Sequence, residues 1–521
     1  MPDYRLGLRH ILSSVISGTV AATLVTGAAL AQDRKFSFVE ASIDGIHEAL
    51  RTDRLSCVQL VQGYLDRISA YDQKGPAFNA VQNVNSNALK LAKEMDVSFD
   101  PKAPMKPLFC IPVVVKDQVE TSFLPTTFGS KLFKDFTPNR TATIVERMMN
   151  AGAIVIAKTN LGEFAAGGSG SAFGDCRNVY NPSYYASGSS CGTGIAVAAN
   201  FATVGIGEDT AGSTRGPASH ASVVGLRPTL PLVSRFGAMP QGPSRDTLGP
   251  MARTVRDTAI LLDVIAGYDP NDPITSESYG KLPKSYTDFL VEGGLKGMRI
   301  GVIRQPMDPR TDTKSEAYQK VKTLVDRGVA DMRAAAAEIV DAVEIPNLMD
   351  LLAASGSNGS PYESEQAINA YLAQHPNAPI KTYAEIVNSS VVIESRRKAM
   401  GPDLGGVPTD PAFLLQLVKR AELRTAILKT MADQKLDALF YASFDSPPVL
   451  LPGSTPYSNR LMATFTGLPA LAVPGGFTAD GLPVGVEFFG RAFDEGTIFK
   501  AAYGFEQATR YRQPPKLAPE L

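Results

Sequence analysis

Apolar residues recur along the chain at two spacings, and each spacing predicts a different element. Helical spacing follows the favourable N-cap Ser56 at Val58, Val61, Leu65 and Ile68. The same pattern predicts further helices that begin near Asn85 and at 141–150, 253–267, 314–340, 411–434 and 494–510. Short apolar or alternating runs predict strands at 78–84, 108–115, 153–157, 298–303, 436–441, 470–473 and 484–489.

Helices, short apolar strands and polar loops alternate along the chain, which predicts an α/β protein with a mixed, largely central β-sheet sandwiched by helices. We expect a single large domain. Its parts are an N-terminal helical segment at 32–107, a core at 108–310, a helical elaboration over the active site at 311–435, and C-terminal strands and a helix at 436–521 that complete the core.

The N-terminus has a different character from the rest of the chain. Arg5 and Arg9 precede an apolar stretch at 11–30, which ends in the small-x-small sequence Ala29-Leu30-Ala31. This pattern is typical of a secretory signal peptide, predicted at 1–31. It predicts an exported protein, periplasmic or secreted, without a stable membrane span after cleavage. An uncleaved N-terminal anchor is the alternative that the apolar length leaves open.

Composition narrows the function classes. The 521 residues carry a net charge of -1, with 44% hydrophobic and 20% charged residues, as in ordinary globular proteins. No basic run is present, so we expect no nucleic-acid partner. Four cysteines are too few and too irregularly spaced for a disulfide framework. A single bond between Cys176 and Cys191 is the pairing to test, because both residues flank Gly/Ser clusters.

Histidine usage limits the possible catalytic systems. The four histidines are His10, His47, His220 and His375, and none forms a paired metal-binding motif, so we expect no metal. The GxSxG match at 188–192 would make Ser190 a nucleophile. However, loop-like residues precede it instead of a strand, and no histidine follows residue 375.

A serine–lysine system remains, in which a neutral lysine replaces histidine as the base. Lys116 ends the strongly apolar run 108–115, where burial could lower its pKa. Serines are concentrated in two Gly/Ser clusters, 187–192 and 209–213. Glycines there allow close approach of the backbone, and the consecutive amides of such turns can bind an anion.

Several ordered motifs resemble those of the amidase signature family. They are Gly188-Ser189-Ser190-x-Gly192 and the stretches 111–117, 158–164, 207–218, 225–229, 246–253 and 467–470. The resemblance spans residues 43–510 and is weakest at 347–408. It implies the amidase signature fold, with a single catalytic domain.

The resemblance also implies a Ser-cis-Ser-Lys triad. Its members are Ser213 as nucleophile, Ser189 as proton relay and Lys116 as base, with the Gly188-Ser189 link as the site of the cis bond. The implied oxyanion hole consists of the backbone amides of Thr210, Ala211, Gly212 and Ser213, supported by Ser190, Asp209 and Arg215. Asp209 and Arg215 are expected to pair. Four positions depart from the family pattern. Ala211 replaces a usual glycine, Glu208 replaces a small polar residue, and Cys191 and Thr193 replace the usual glycine and serine of the first cluster.

The resemblance implies hydrolysis of a small-molecule carboxylic amide to an acid and an amine or ammonia, through an acyl-enzyme on Ser213, and this chemistry needs no metal or organic cofactor. The alternatives are a glutamine-hydrolysing component of an amidotransferase (the A-type chain), an ester or carbamate hydrolase on the same scaffold, and an exported binding protein on an inactive scaffold. The sequence leaves the oligomeric state open, a homodimer included.

Overall fold

The computed structural model describes residues 36–165, 168, 170–456 and 458–521. The predicted signal peptide at 1–31 lies outside these residues. Residues Ser37–Leu521 form one compact unit, in agreement with the prediction of a single large domain. None of the helices in the described residues has both the length and the apolar composition needed to cross a bilayer.

Fifteen α-helices are found in the described part of the chain. They are α1 Ile43–Arg51, α2 Cys57–Tyr71, α3 Ala88–Ser98, α4 Thr143–Asn150, α5 Cys191–Ala198, α6 Arg215–His220, α7 Val255–Ile265, α8 Glu316–Ala334, α9 Leu348–Ala354, α10 Ser364–Ala373, α11 Tyr383–Asn388, α12 Glu394–Met400, α13 Pro411–Asp433, α14 Leu461–Thr466 and α15 Glu495–Thr509. Short 3₁₀ turns occupy Lys131–Phe133, Glu163–Ala165, Pro273–Ser278, Tyr286–Phe289 and Gly401–Asp403.

The strands within the same residues alternate with these helices. They are β1 Val81–Val84, β2 Pro112–Lys116, β3 Ile154–Thr159, β4 Gly170–Ser171, β5 Gly174–Asp175, β6 Val204–Glu208, β7 Val224–Arg227, β8 Leu248–Ala252, β9 Arg299–Val302, β10 Glu338–Asp341, β11 Ala438–Ala442, β12 Ala470–Phe477 and β13 Pro483–Phe489.

Eleven of the strands form one mixed sheet, in the order β1-β3-β2-β6-β8-β7-β12-β13-β11-β9-β10. The neighbours β3, β2 and β6 run parallel, as do β11, β9 and β10. The strands between these two groups pair antiparallel. The β2, β6, β8, β11 and β13 strands are buried along their whole length, because helices cover the sheet. The predicted mixed α/β fold is therefore confirmed.

Local signals explain where α2 begins. The Ser56 hydroxyl accepts from the amide of Gln59, and the Gln59 side chain accepts from the amide of Ser56. This reciprocal pair is a capping box, which satisfies two backbone donors that a helix start leaves unpaired. Val61 and Ile68 are buried as predicted, whereas Val58 and Leu65 lie at the edge of the buried face. The N-cap prediction is confirmed.

One helix prediction was wrong at its C-terminal end. The helix expected over 314–340 stops at Ala334, and Glu338–Asp341 forms β10 at the edge of the sheet. Its register pairs Ile339 with Ile300 of β9, in parallel. The alanine run at 334–337 favours helix locally, but tertiary pairing with β9 decides the conformation that follows.

Two disulfide bonds hold loops close to the sheet. Cys176 and Cys191, the pair that the sequence singled out for testing, are bonded, with their Cα atoms 6.1 Å apart. Cys57 and Cys110 form a second bond, with a Cα separation of 5.7 Å, which the sequence pattern did not predict. This second bond joins the start of α2 to the segment immediately before β2. All four cysteines are buried.

We expect each bond to stabilise the fold chiefly by restricting the unfolded chain. Replacing Cys57 and Cys110 together with serine should lower the free energy of unfolding by about 2 to 4 kcal/mol. The measurement is denaturant unfolding of the oxidised wild type and the double variant. Added reductant serves as the control, because it should destabilise the wild type more than the variant. An unfolding curve identical to that of the wild type would contradict the prediction.

Candidate active site

Two buried charged residues meet at the carboxyl ends of neighbouring strands. Lys116 is the last residue of β2 and Glu208 is the last residue of β6, and these strands pair in parallel with Val115 opposite Ile206. Carboxyl ends of adjacent parallel strands meet at one edge of a sheet, where polar loops can converge. The prediction that Lys116 ends a buried strand is confirmed.

Lys116 is completely buried, and its ammonium nitrogen has three oxygen neighbours. The Nζ atom lies 2.8 Å from Ser189 Oγ, 3.0 Å from Glu208 Oε2 and 3.4 Å from the Glu208 carbonyl oxygen. Burial lowers the pKa of Lys116 below its ordinary value, although the Glu208 carboxylate opposes this effect. The structure therefore places Lys116 beside the relay serine that the resemblance implied.

Ser189 lies in a tight, buried turn between the loop 181–187 and α5. The Gly188-Ser189 peptide bond is cis, at the predicted position. The Ser189 carbonyl accepts from the amide of Gly162, and the amide of the next residue, Ser190, donates to the carbonyl of Ser213. These two contacts fix the turn against two neighbouring loops and leave the Ser189 hydroxyl toward Lys116.

Ser213 lies at the floor of an open cleft. The cleft has a volume of about 660 Å³, and Gly188, Thr210, Ala211 and Ser213 contribute to its lining. Ser213 is half-buried, in contrast to the fully buried Ser189. Its hydroxyl makes no hydrogen bond within the described residues, so it is available to a molecule bound in the cleft.

The loop after β6 presents several backbone amides. The amides of Thr210, Ala211 and Ser213 have no hydrogen-bond partner in the described chain, and all three residues line the cleft. The amide of Gly212 differs from the expectation, because it donates to Asp209 Oδ1 at 2.9 Å. Gly212 therefore braces the loop, and the other three amides stay predicted oxyanion donors.

The alanine at position 211 causes no backbone strain. The residue of this loop with a positive φ is Gly212, at 96°, which a side chain would rarely adopt. A Cβ on Gly212 would also lie 2.8 Å from the buried side chain of Arg460. The family departure at Ala211 therefore leaves the loop geometry intact.

Asp209 is the centre of a buried charge network beneath this loop. Its Oδ2 lies 3.3 Å from Arg215 Nε, and its Oδ1 lies 2.8 Å from Arg227 Nη1. Arg215 also contacts Glu487 of β13 at 2.7 Å. Burial alone would raise the pKa of Asp209, but the two guanidinium groups hold it well below its usual range. The expected pairing of Asp209 with Arg215 is confirmed.

Removing the charge of Asp209 is expected to destabilise the fold strongly. Asp209→Asn keeps the shape of the side chain but leaves two buried guanidinium groups short of a counter-charge. We expect a loss of about 3 to 5 kcal/mol in the free energy of unfolding, measured by denaturant titration. Glu394→Ala, which breaks an exposed ion pair with Lys398, serves as the control, with a loss under about 1 kcal/mol. Equal losses in both variants would contradict the prediction.

The structure gives Ser190 a bracing role. Its hydroxyl donates to the Glu208 carbonyl and accepts from the Glu208 amide, both at 3.2 Å. The Ser190 hydroxyl thus joins the turn before α5 to the end of β6, as the expectation of a supporting serine implied.

His220 is buried against the ring of Phe444, and burial lowers its pKa to about 3.

Glu208 belongs to the site, although in the sequence it stood out only as a departure from the family pattern. In the structure its carboxylate forms the buried ion pair with Lys116 and accepts from Thr210 Oγ1 at 2.6 Å. Burial raises the pKa of Glu208. Its position in the fold explains the pairing. Glu208 ends β6, next to the strand that Lys116 ends. Charged residues are rarely buried without a partner, so once the strand order is known the two are expected to pair.

The comparison with known proteins agrees with this geometry. Residues 59–499 match the amidase family. The chain belongs to the amidase family. A probable amidase of Arabidopsis thaliana is 31% identical over 527 residues, covering 96% of both chains. The A-type chain of the glutamyl-tRNA(Gln) amidotransferase of Exiguobacterium sibiricum is 34% identical over 500 residues, covering 92% of this chain and 100% of the relative.

A solved structure supports the same assignment for this amidase. The native peptide amidase from Stenotrophomonas maltophilia superposes with a TM-score of 0.84 and 34% identity, covering 92% of this chain and 99% of that one. The predictions of the family, of its fold and of an amide-hydrolysing enzyme are confirmed.

Proposed function

We propose that this amidase works through a serine acyl-enzyme, with Ser213 as nucleophile, Ser189 as relay and Lys116 as base. The observation that carries the proposal is the 2.8 Å contact between Lys116 Nζ and Ser189 Oγ, made by two completely buried groups. A lysine can serve as a base only when it is neutral, and burial favours its neutral form. Ser213 lines the cleft beside this pair.

Acylation begins when the Ser213 oxygen attacks the amide carbonyl carbon. The Ser213 proton passes to Ser189 as the Ser189 proton passes to the neutral amine of Lys116. The negative oxygen that forms accepts from the free amides of Thr210, Ala211 and Ser213. The C–N bond then breaks, and the proton returns through Ser189 to the leaving amine.

Deacylation uses the same groups in the same order. Water attacks the acyl carbon, its proton passes through Ser189 to Lys116, and the Ser213–acyl bond breaks. Ser213 recovers a proton from the relay as the acid leaves. None of these steps needs a group other than water and the residues described.

The size of the cleft favours amides with a bulky acyl part. A volume of about 660 Å³ lies in the range of sites for drug-sized molecules, well above the needs of a short aliphatic amide. Its lining combines apolar side chains with Arg310 and Arg460; the apolar residues include Met307, Leu352 and Tyr383. An aryl or peptidyl amide would fill this space, consistent with the peptide amidase neighbour.

A matched substrate panel tests the proposal. The purified enzyme should release ammonia faster from peptidyl and aryl amides than from acetamide and propionamide at equal concentration. Esters and carbamates of the preferred acyl group are included, because the same acyl-enzyme can form from them. A preference for acetamide would overturn the bulky-acyl assignment, and an active Ser213→Ala variant would overturn the serine mechanism.

Glutamine belongs in the same panel as a second candidate substrate. The 34% identity to the A-type chain of a glutamyl-tRNA(Gln) amidotransferase, across 92% of this chain, is the observation that favours it. Hydrolysis of free glutamine at a rate comparable to the best peptidyl amide would support this alternative. A rate near that of acetamide would exclude it for the isolated chain.

We also propose that the protein is exported, with cleavage after Ala31. The two buried disulfide bonds support an oxidising compartment, where such bonds persist. Expression of the full chain in a bacterium with a periplasm provides the test, followed by fractionation and N-terminal sequencing of the recovered protein. A mature N-terminus at Gln32 in the periplasm is expected, whereas an intact, cytosolic chain would overturn the proposal.

A further inference from the structure

Glu208 supplies two of the three oxygen neighbours of Lys116. One is its carboxylate Oε2 at 3.0 Å, and the other is its carbonyl oxygen at 3.4 Å. The third neighbour is Ser189 Oγ at 2.8 Å. A neutral lysine amine has two N–H bonds and one lone pair. When both N–H bonds point at the Glu208 oxygens, the lone pair points at the Ser189 hydroxyl, whose proton it must receive.

The Glu208 carboxylate is itself held in place. Thr210 Oγ1 donates to Oε1 at 2.6 Å, so the two carboxylate oxygens have different, fixed partners. The backbone of Glu208 is fixed by the hydroxyl of Ser190, which bonds both its amide and its carbonyl. The oxygens that contact Lys116 are therefore attached to a rigid strand end.

Resting on the proposed serine mechanism, we propose that Glu208 is a positioning residue for amide hydrolysis. It orients the neutral amine of Lys116 so that its lone pair faces the Ser189 hydroxyl. Its carboxylate also holds the proton-bearing form of Lys116 during each acylation and deacylation step. Glu208 is not among the residues that line the cleft around Ser213, so it acts on the reacting groups through its contact with Lys116.

Other charged groups near the pair set the background against which Glu208 acts. The carboxylates of Asp209 and Asp246 both favour the protonated form of Lys116. Asp246 also disfavours the ionised form of Glu208. Arg227 pairs with Asp209, and the Glu208 charge favours its protonated form. The charge of Asp209 is balanced by Arg227 and Arg215. Glu208 is the carboxylate that contacts Lys116 directly.

Two substitutions separate the charge of Glu208 from its orienting contacts. Glu208→Gln is isosteric and keeps an oxygen that can accept from Lys116, but it removes the negative charge. The acid limb of the kcat/KM profile should then move to lower pH by about 1 to 3 pH units, because protonated Lys116 loses its counter-charge. Glu208→Ala removes the carboxylate contact, and kcat at the pH optimum should fall about 10²-fold with KM unchanged.

The chain offers a matched control. Asp117 pairs with the buried Lys158 at 3.0 Å, one residue along from Lys116, and this second pair makes no hydrogen bond to Ser189 or Ser213. Asp117→Asn removes a comparable buried carboxylate, so a purely structural effect should lower its thermal stability as it does in Glu208→Gln. The acid limb in Asp117→Asn should stay at the wild-type pH.

The measurements give outcomes that can be told apart. A lowered acid limb in Glu208→Gln, with the Asp117→Asn limb unmoved, supports the positioning role. An acid limb at the wild-type pH in Glu208→Gln, or a full kcat in Glu208→Ala, would overturn it. Either failure leaves the serine mechanism standing, because that mechanism depends on the activity of Ser213→Ala.

Discussion

Replacing Ser213 with alanine is expected to reduce kcat/KM for amide hydrolysis by about 10⁴- to 10⁶-fold. In the proposed mechanism nucleophile, relay and base act as one unit, so removing the nucleophile should remove nearly all of the catalysis that depends on the other two. The residual rate would come from the backbone amides of the loop and from substrate binding. The measurement is ammonia release from the best amide of the substrate panel.

Ser190→Ala is the matched control for this loss. Ser190 lies next to Ser189 and is also buried, but its hydroxyl bonds the Glu208 backbone. We expect a smaller loss of activity and a lower thermal stability. A serine-reactive fluorophosphonate should label the wild type and the Ser190→Ala variant but not Ser213→Ala. Labelling of Ser213→Ala at the wild-type rate would identify a different nucleophile.

Local patterns predicted the parts of the fold that local physics determines. The N-cap at Ser56 and the apolar run before Lys116 are short-range signals: α2 begins directly after Ser56, and β2 ends at Lys116. The order of strands and helices also predicted the mixed α/β class. The strand Glu338–Asp341 was missed, because its four residues depend on pairing with β9 and follow an alanine run that favours helix.

The candidate site also contains residues that could be predicted from the sequence and contacts that could not. The family resemblance implied that Lys116, Ser189 and Ser213 act together, and the structure sets the first two in contact. The partner of Lys116 could not be predicted from sequence spacing. Lys116 and Glu208 end two neighbouring strands, but they lie 92 residues apart in sequence. A carboxylate beside Gly/Ser motifs is compatible with a solvated loop until the strand order is known.

The sequence predicted only one of the ion pairs that hold the loop after β6, because the others join residues far apart in the chain. The sequence interpretation paired Asp209 with Arg215, six residues away. The structure adds Arg227, 18 residues from Asp209, and Glu487, 272 residues from Arg215. These partners come from β7 and β13, so they follow from the sheet order and not from the loop sequence. Asp209 of the same network also accepts a hydrogen bond from the amide of Gly212.

Replacing Lys116 with methionine is expected to reduce kcat/KM for amides by about 10²- to 10⁴-fold. Methionine keeps the apolar part of the side chain but removes the group that accepts and returns the proton. The effect should depend on the leaving group. An amine must be protonated to leave, whereas the nitrophenolate of an activated ester leaves without a proton. We therefore expect a smaller loss on a p-nitrophenyl ester with the same acyl group, which retains only the part due to the protons that Lys116 accepts from Ser213 and from water.

The pH profile of the wild type provides the companion measurement. The proposed mechanism requires the neutral amine of Lys116, so activity should be present above the lowered pKa of this residue and lost as pH falls through it. Lys158→Met is the control, because Lys158 is equally buried in an ion pair but bonds Asp117 and Thr126. It should change amide and ester rates by the same factor. An amide rate in Lys116→Met equal to that of the wild type would contradict its role as the base, and an equal loss on both substrates would contradict its return of the proton to the leaving amine.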